Sequence, residues 1–318
     1  MRRVGGKEIV RNVLIDGNNI LRRAQYAFLE KEGEVTLHEG VNINLIKGFF
    51  KILSNILDKI HDFTSLHCFF DGFPTRRKNL LPSYKEINGE KRKPLEIGNP
   101  FSVEGIDFGN QIEFIKAALY NLNFKVYYDK NEEADDLIAS FTHLNNEQIN
   151  VICSSDKDFF QLVNNKTVLY RPDTNVFYDV EAVFSYFEKE IGHGVYPNEV
   201  VLYKCMTGDP SDGIKGIYRF KKRTAASLSY KRELSSLIES SFPGISEKEK
   251  DLIITNKDLL FLNEKLLKSI KDIPLVPLEF LVFDVHETFK NLGLSLDMSS
   301  FTPNSSNSFS SSSDEFYV

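Results

Sequence analysis

The sequence predicts an α/β protein with a mainly parallel central sheet flanked by helices, followed by a helical region. Three observations predict it. Short apolar runs alternate with helical periodicity from residue 12 to residue 153, the pattern of crossovers into a parallel sheet. Several of these runs close on acidic turns, at Asp16-Gly17-Asn18, Asp71-Gly72 and Ser154-Ser155-Asp156. From about residue 197 the pattern becomes mostly helical.

The elements follow in order. Asn12 to Ile15 is a short apolar run ended by a turn, and reads as a buried strand. From Ile43 to Ile60, apolar residues recur at helical spacing. Leu66 to Phe70 is a second strand. Residues 74–100 change character, with basic residues, prolines and little apolar periodicity. Residues 107–122 read as a helix and Phe124 to Tyr128 as a strand. Glu132 to Leu144 is a helix led by acidic residues, which suits the positive end of its dipole. Ile149 to Cys153 is a further strand. A basic, turn-rich stretch interrupts the later helices at 208–223, and residues 299–318 hold nine serines and no expected core, so they read as a disordered tail.

Composition bounds the function. A chain of 318 residues suggests about two domains, or one α/β domain with an appendage. Hydrophobic residues at 42% and aromatics at 12% exclude disorder for most of it. With 39 Lys+Arg against 45 Asp+Glu, the formal charge of -6 argues against a simple basic nucleic-acid coat. No apolar run approaches the roughly 20 residues of a membrane span, and the N-terminus does not read as a signal peptide. The three cysteines, Cys68, Cys153 and Cys205, are far apart and fit a reducing compartment as small buried residues. A cytoplasmic location is the expectation, host cytoplasm if the chain is phage-encoded. Neither cysteines nor histidines show zinc-type spacing, so any metal would be held by carboxylates.

Carboxylates are what the sequence supplies. Asp16 and Asp71 follow strands; Glu133, Asp135 and Asp136 open a helix; Asp156 and Asp158 lie in SSDKDF; Asp209 and Asp212 lie in TGDPSDGI. Glu133 and Asp136 are three apart and share a helix face. Asp156 and Asp158 can point the same way from an extended strand end. In an open α/β sheet, ligands gather beyond the carboxyl ends of the strands. Like charges brought together raise each other's pKa, and bound cations relieve this. Oxygen-only ligands favour Mg²⁺ or Mn²⁺, and two such ions about 3.5–4 Å apart can clamp a phosphodiester for in-line attack. Taken singly, each carboxylate reads first as a helix cap or a solubilising charge; taken as a set at successive loop ends of the sheet, they read as a metal cluster.

The segments VLIDGNNILRRA, CFFDG, LPSYK, EEADDLIA, SSDKDFFQL and TGDPSDGIKGI resemble, in order, those of flap endonucleases and 5′→3′ exonucleases. The resemblance is to the phage-type 5′-nucleases and the 5′-nuclease domain of bacterial DNA polymerase I, over roughly residues 11–275. It implies a PIN-like 5′-nuclease fold with an α/β core over 1–196, an arch at about 74–106, and a helical DNA-binding region over 197–298. It implies a metal set of Asp16, Asp71, Glu133, Asp135, Asp136, Asp156, Asp158, Asp209 and Asp212. The earlier members would mainly hold the ion nearer the scissile phosphate. Two Mg²⁺ ions are implied, with Mn²⁺ able to substitute.

The resemblance also assigns roles to bases. Residues 74–94 hold seven Lys/Arg and two acids, as an arch over single-stranded DNA requires. Lys85 would reach the scissile phosphate, and Tyr84 would stack on a base. The family's arginine three residues after that lysine is Asn88 here, so Arg92 stands in after a short insertion. Arg23 matches an arginine near the substrate end. The family's Gly-rich helix–hairpin–helix reads GIKGIYRFKKRTA: Gly216 is kept, but Arg219 and Lys221 replace two glycines. Non-glycine residues disfavour positive φ, so the hairpin is expected to change, which puts its potassium-type K+ site in doubt. Lys215, Arg219, Lys221, Lys222 and Arg223 still make a phosphate-binding patch, since residues 215–232 hold seven Lys/Arg and no acid.

The activity implied is Mg²⁺-dependent, structure-specific hydrolysis near single-strand/duplex junctions, removing RNA primers or flaps in replication. The partners implied are branched or 5′-ended DNA and RNA/DNA hybrid. The tail with its DEFYV end reads first as inert, with a dock for a sliding clamp or single-strand-binding protein as the alternative; no membrane is involved, and a monomer is expected. Rival readings are a branched-DNA binder with weak catalysis, a PIN-type ribonuclease, and a carboxylate-metal phosphatase. Setting nine acids aside for a metal cluster leaves 36 against 39 bases, so the net charge is compatible with a basic track leading to an acidic pocket.

Overall fold

The structure is a computed structural model. It describes residues 3–4, 7–8, 11–30, 37–38, 41–60, 63–87, 90–91, 108–230, 232–239, 246–294 and 301.

The first half of the chain winds a parallel sheet. Its elements are β1 (Arg11–Asp16), α1 (Gly17–Ala24), α2 (Asn44–Leu57), β2 (Ser65–Phe70), α3 (Thr75–Leu80), α4 (Phe108–Asn121), β3 (Phe124–Tyr128), α5 (Ala134–Leu144) and β4 (Ile149–Cys153). Two further strands, β5 (Thr167–Arg171) and β6 (Val176–Tyr178), precede α6 (Val180–Ile191). The strand order is β6-β5-β4-β1-β2-β3, parallel throughout except β6, which runs antiparallel to β5. The four strands expected from apolar runs are present. So are helices at 44–57, 108–121 and 134–144, each shortened by one to three residues at its ends.

The apolar runs are continuous because the sheet is covered on both faces. Alternate residues of β1 point to opposite sides. Leu14 joins Phe69, Leu137, Phe141 and Ile152 on one face; Val13 and Ile15 join Phe49, Phe50, Cys68, Phe70 and Val126 on the other. All three cysteines are buried and unbridged, as expected.

The remaining helices are α7 (Val200–Thr207), α8 (Lys222–Ser229), α9 (Leu234–Glu239), α10 (Glu247–Thr255), α11 (Lys257–Leu267) and α12 (Val285–Asn291). Helices α7, α8 and α11 bury Cys205, Met206, Ala225, Ala226, Leu260 and Leu266 in the same cluster as the first face, so residues on both sides of position 196 share one core. Residues 269–284 then run as an extended strap. Its Ile270 N–H donates to Asp136 (2.9 Å), its Leu278 N–H to the Val126 carbonyl of edge strand β3 (2.7 Å), and its Phe283 N–H to Asn121 (2.9 Å). Helix α12 docks Val285 and Phe289 on the opposite face, with the Phe289 ring 4.8 Å from Phe50. Phe301 corrects the expectation of a coreless tail: it is 2% exposed and packs against Phe124. The rest of the serine-rich segment, residues 302–318, lies outside the described residues.

Candidate metal centre and nucleic-acid interface

Sheet order decides where the site lies. The chain leaves β1 toward β2 on one side, while β4 lies on its other side. The carboxyl ends of β1 and β4 therefore flank a switch in direction, where a crevice opens. Register places Ile15 opposite Cys153 and Asp16 opposite Phe69, so Asp16, Asp71 and the turn after β4 meet at one edge. Ser154 Oγ donates to Asp16 Oδ2 across that gap (2.7 Å). Gly72 permits the approach: a Cβ there would lie 1.9 Å from the Asp129 carbonyl oxygen. Its N–H donates to the Glu132 carbonyl (2.7 Å), and the Ala134 N–H donates to Asp71 Oδ1 (2.9 Å), which brings the start of α5 to the edge.

Several of these carboxylates also cap local structure. Asp16 caps α1 through the Asn19 N–H, Asp156 accepts from the Asp158 N–H, and Asp209 accepts from the Ser211 N–H, each at 2.9 Å. The capping and cluster readings are thus compatible, because each aspartate has a second oxygen.

Burial and like charge make the cluster electrostatically tense. Burial, with Asp71 and Asp156 adding like charge, pushes the Asp16 carboxyl up to about 7. Burial raises Asp71 despite Lys85, and burial with Asp156 nearby raises Asp135 well above the usual carboxylate range. Burial lifts Asp158 to about 6 against the pull of Lys204, and it also raises Asp212.

Three cations answer this charge. Lys85 Nζ donates to Glu133 Oε1 (2.5 Å). Lys204, which sequence reasoning missed, ion-pairs with both Asp158 and Asp209. Arg77, also missed, is 7% exposed and binds both Asp136 oxygens as well as Glu133 Oε2 (2.8 Å). For Glu133 and Asp209, burial would raise the carboxyl, but these cations hold both below their ordinary values. The helix-face pairing of Glu133 and Asp136 is realised, and it is turned onto Arg77. Asp136 departs from the metal-ligand expectation: it is 1% exposed, and its oxygens are committed to Arg77 and the Ile270 N–H.

Among the described residues, no three His, Cys, Asp or Glu side chains converge closely enough to hold an ion as placed. The donor chemistry nevertheless fits a hard divalent cation. Every candidate ligand is an oxygen, and burial raises Asp16, Asp71 and Asp135, with Asp71 adding like charge at Asp16 and with Asp156, Asp16 and Asp71 adding it at Asp135, the strain that such an ion relieves. Asp209 and Asp212 diverge: Asp209 faces Lys204, whereas Asp212 Oδ2 accepts from the Tyr84 hydroxyl (3.1 Å).

Tyr84 corrects another expectation. It is 3% exposed, with its hydroxyl on Asp212 and Glu133, so it is a wall of the pocket rather than a surface for base stacking. Lys85 follows with φ of 59°, fixed by its N–H donating to the Asp212 carbonyl (2.9 Å). Arg23 approaches the Pro172 carbonyl at 3.5 Å and has a buried Nη1 without a partner. Asn88 and Arg92 lie outside the described residues, as do residues 92–107 of the expected arch.

Beyond Asp212, Ile214–Lys215 pairs antiparallel with Gly208–Asp209. Gly216 is required by packing, because a Cβ would sit 2.2 Å from the Thr207 carbonyl carbon. Arg219 corrects the conformational expectation for the hairpin: despite its side chain it holds φ of 57°. Lys221 is extended (φ -72°) at the start of α8. Lys215, Arg219, Lys221, Lys222 and Arg223 are all exposed.

Residues 11–188 match the model of the 5′-3′ exonuclease N-terminal, resolvase-like domain. The chain belongs to that family. It is 29% identical over 268 residues to DNA polymerase I of Caldicellulosiruptor bescii, covering 83% of this chain and 29% of that protein. It is 28% identical over 270 residues to DNA polymerase I of Borreliella burgdorferi, covering 84% and 27%. The chain therefore spans less than a third of the length of these relatives. Among solved structures, it resembles the 5′-exonuclease of phage T5 bound to zinc, with TM-score 0.59, 17% identity, and coverage of 81% of this chain and 89% of that one. It also resembles the T5 D15 flap endonuclease in a complex with DNA and metal ions, with TM-score 0.56, 17% identity, and coverage of 81% and 88%. These likenesses bear out the fold: a mainly parallel sheet flanked by helices.

Proposed function

We propose that the chain is a Mg²⁺-dependent, structure-specific 5′-nuclease, acting as a 5′→3′ exonuclease or flap endonuclease. One observation carries this reading. Carboxylates from separate segments gather at the switch point, with Lys85 beside them and an exposed basic surface leading away. Family membership and the metal-bound, DNA-bound T5 neighbours support it.

Asp16, Asp71, Asp135 and Asp156 would hold a first ion, and Asp158, Asp209 and Asp212 would hold or orient a second. When bound, the ions supply charge neutralisation and an activated water. Glu133 holds the Lys85 ammonium among the carboxylates, from where it would meet developing phosphate charge. Lys204 already neutralises Asp158 and Asp209, so a second ion there must displace it. Lys215, Gly216, Arg219, Lys221, Lys222 and Arg223 would hold duplex phosphates, and Arg23 would lie nearer the substrate end. Branched or 5′-ended DNA and RNA/DNA hybrids are the substrates that fit, consistent with cytoplasmic primer or flap removal. Among the described residues, no helix is long and apolar enough to cross a membrane. The expected arginine at 92 and a clamp-binding tail rest on residues outside the described ones.

The test is cleavage of a 5′-labelled flap substrate with Mg²⁺ or with chelator. Metal-dependent cutting near the junction is expected, and Asp156→Ala should lower it by about 100-fold or more while duplex binding persists. Cutting that persists in chelator, or faster hydrolysis of small phosphomonoesters than of DNA, refutes the reading.

A further inference from the structure

Tyr84 is buried, so the ring expected to meet a base at the site is closed off. Another aromatic side chain stands in the open beside the carboxylates. Phe73 is 52% exposed, on the loop between β2 and α3, two residues beyond Asp71. Two peptide links span at most about 7.6 Å, so its Cα lies within that distance of the Asp71 Cα. Among the described residues, no other exposed aromatic side chain lies so near a site carboxylate in sequence. Phe73 belongs to neither apolar cluster of the core. A lone exposed phenylalanine is ordinary on a protein surface; this one is set apart by where it is held.

The loop that carries it is pinned to the segment opening α5. Gly72 N–H donates to the Glu132 carbonyl (2.7 Å), and Phe73 N–H donates to the Lys130 carbonyl (2.9 Å). The Phe73 carbonyl in turn accepts from the Thr75 N–H (2.7 Å). Arg76 Nε donates to Glu132 Oε1 (2.9 Å), which ties the first turn of α3 to the same segment. The backbone beneath the ring is thereby fixed on both sides. Asp71, at the start of the loop, accepts from the Ala134 N–H, and the chain beyond α3 reaches Lys85, whose ammonium lies on Glu133. A nucleotide strand with its phosphate between Asp71 and Lys85 passes beside this loop.

A phenyl ring offers neither charge nor a hydrogen bond, so the partner it fits is another flat, apolar face. Every nucleobase has such a face, whatever its sequence. Within a duplex both faces of a base are covered by its neighbours, whereas an unpaired base can present one. We propose that Phe73 is a stacking platform for an unpaired base next to the scissile phosphate. The ring makes the site favour a single-stranded 5′ end over a paired one. The platform deepens the nuclease reading above and rests on it for the substrate.

The experiment uses a 5′-flap DNA with 2-aminopurine in the unpaired strand beside the junction, and a blunt duplex of the same sequence, both in chelator. Anisotropy gives the affinities, and the 2-aminopurine emission reports stacking. Wild type is expected to quench that emission on binding. Phe73→Ala is expected to lose the quench and to bind the flap about tenfold more weakly, with duplex affinity and melting temperature unchanged. Phe73→Trp is expected to keep both quench and affinity. Flap affinity and quench equal to wild type in Phe73→Ala overturn the platform, as does an equal loss on flap and duplex, or a Phe73→Trp that behaves like Phe73→Ala. Flap cleavage by the wild-type chain with Mg²⁺ is assayed in parallel. Cutting with an unaltered Phe73→Ala quench removes the platform alone, and no cutting with the expected losses removes the nuclease reading alone.

Discussion

Asp16 shows how a single residue carries several constraints. Its carboxylate caps α1, accepts from Ser154, and faces Asp71 and Asp156, with its pKa raised to about 7 mainly by burial. A carboxyl whose folded pKa exceeds its unfolded value contributes stability below the unfolded pKa, and loses it as pH rises through the folded pKa. In chelator, the Asp16 contribution should therefore fall between about pH 4 and pH 7. Added Mg²⁺ should offset that fall, because an ion favours the charged form. Melting curves across this window, with and without Mg²⁺, check both statements against Asp16→Asn, which should flatten the metal-free trend. Most carboxylates of the site were legible in the sequence because strand ends and acidic turns coincide. Their cationic partners were not. Arg77 reads as one more base in a basic stretch, and Lys204 as a helix lysine. Only the packing of α3 and α7 against the carboxyl edge turns them inward. For Lys204 a signal existed, five residues before Asp209, but that spacing has no meaning until the turn at Gly208 folds the chain back.

At the scale of elements, α3 is held by one buried side chain. Arg77 links α3 to Asp136 of α5, to Glu133, and through Nε to the Leu266 carbonyl at the end of α11 (2.8 Å). Removing it leaves buried Asp136 without its cation and Glu133 with Lys85 alone. Arg77→Ala should cost about 3–5 kcal/mol, measurable as a shift in urea midpoint. The double change Arg77→Met with Asp136→Leu should recover part of that, since it removes the unpaired Asp136 charge as well. The four strands and the helices α2, α4 and α5 between residues 12 and 153 followed from periodicity, whereas the short helices α1 and α3 did not. Strands β5 and β6 and helix α6 did not, because 167–178 combines short apolar pairs with arginine, asparagine and aspartate. The two-stranded turn formed there is stabilised by pairing with β4, a long-range contact that local pattern cannot show. The hairpin after α7 was legible as a basic turn. Its left-handed arginine was not, since propensity argues against what packing around Gly216 and Ile217 imposes.

Across the whole molecule, the two ends of the sheet are built differently. The carboxyl edge gathers charge. The opposite end carries a buried polar ladder: Asn12 Nδ2 donates to Asn150 and Gln148 (both 2.9 Å), Ser65 Oγ donates to Asn12 (2.6 Å), and His67 Nε2 lies 2.9 Å from Ser65 Oγ. Burial lowers the His67 pKa to about 3. A histidine kept neutral in this way contributes stability above its unfolded pKa near 6.5, and loses it as pH falls toward 3. Acid unfolding should therefore begin below about pH 6, and His67→Phe should remove this component, as followed by far-ultraviolet circular dichroism. The strap from 269 to 284 has a different consequence. By laying Leu278 on Val126 it occupies hydrogen-bonding capacity on edge strand β3 that would otherwise face solvent. An open parallel sheet ending in FKVYY offers a template for intermolecular strand pairing. Loss of the Leu278–Val126 contact should therefore appear as self-association seen by light scattering; the segment keeps copies of the chain apart as much as it holds the fold together.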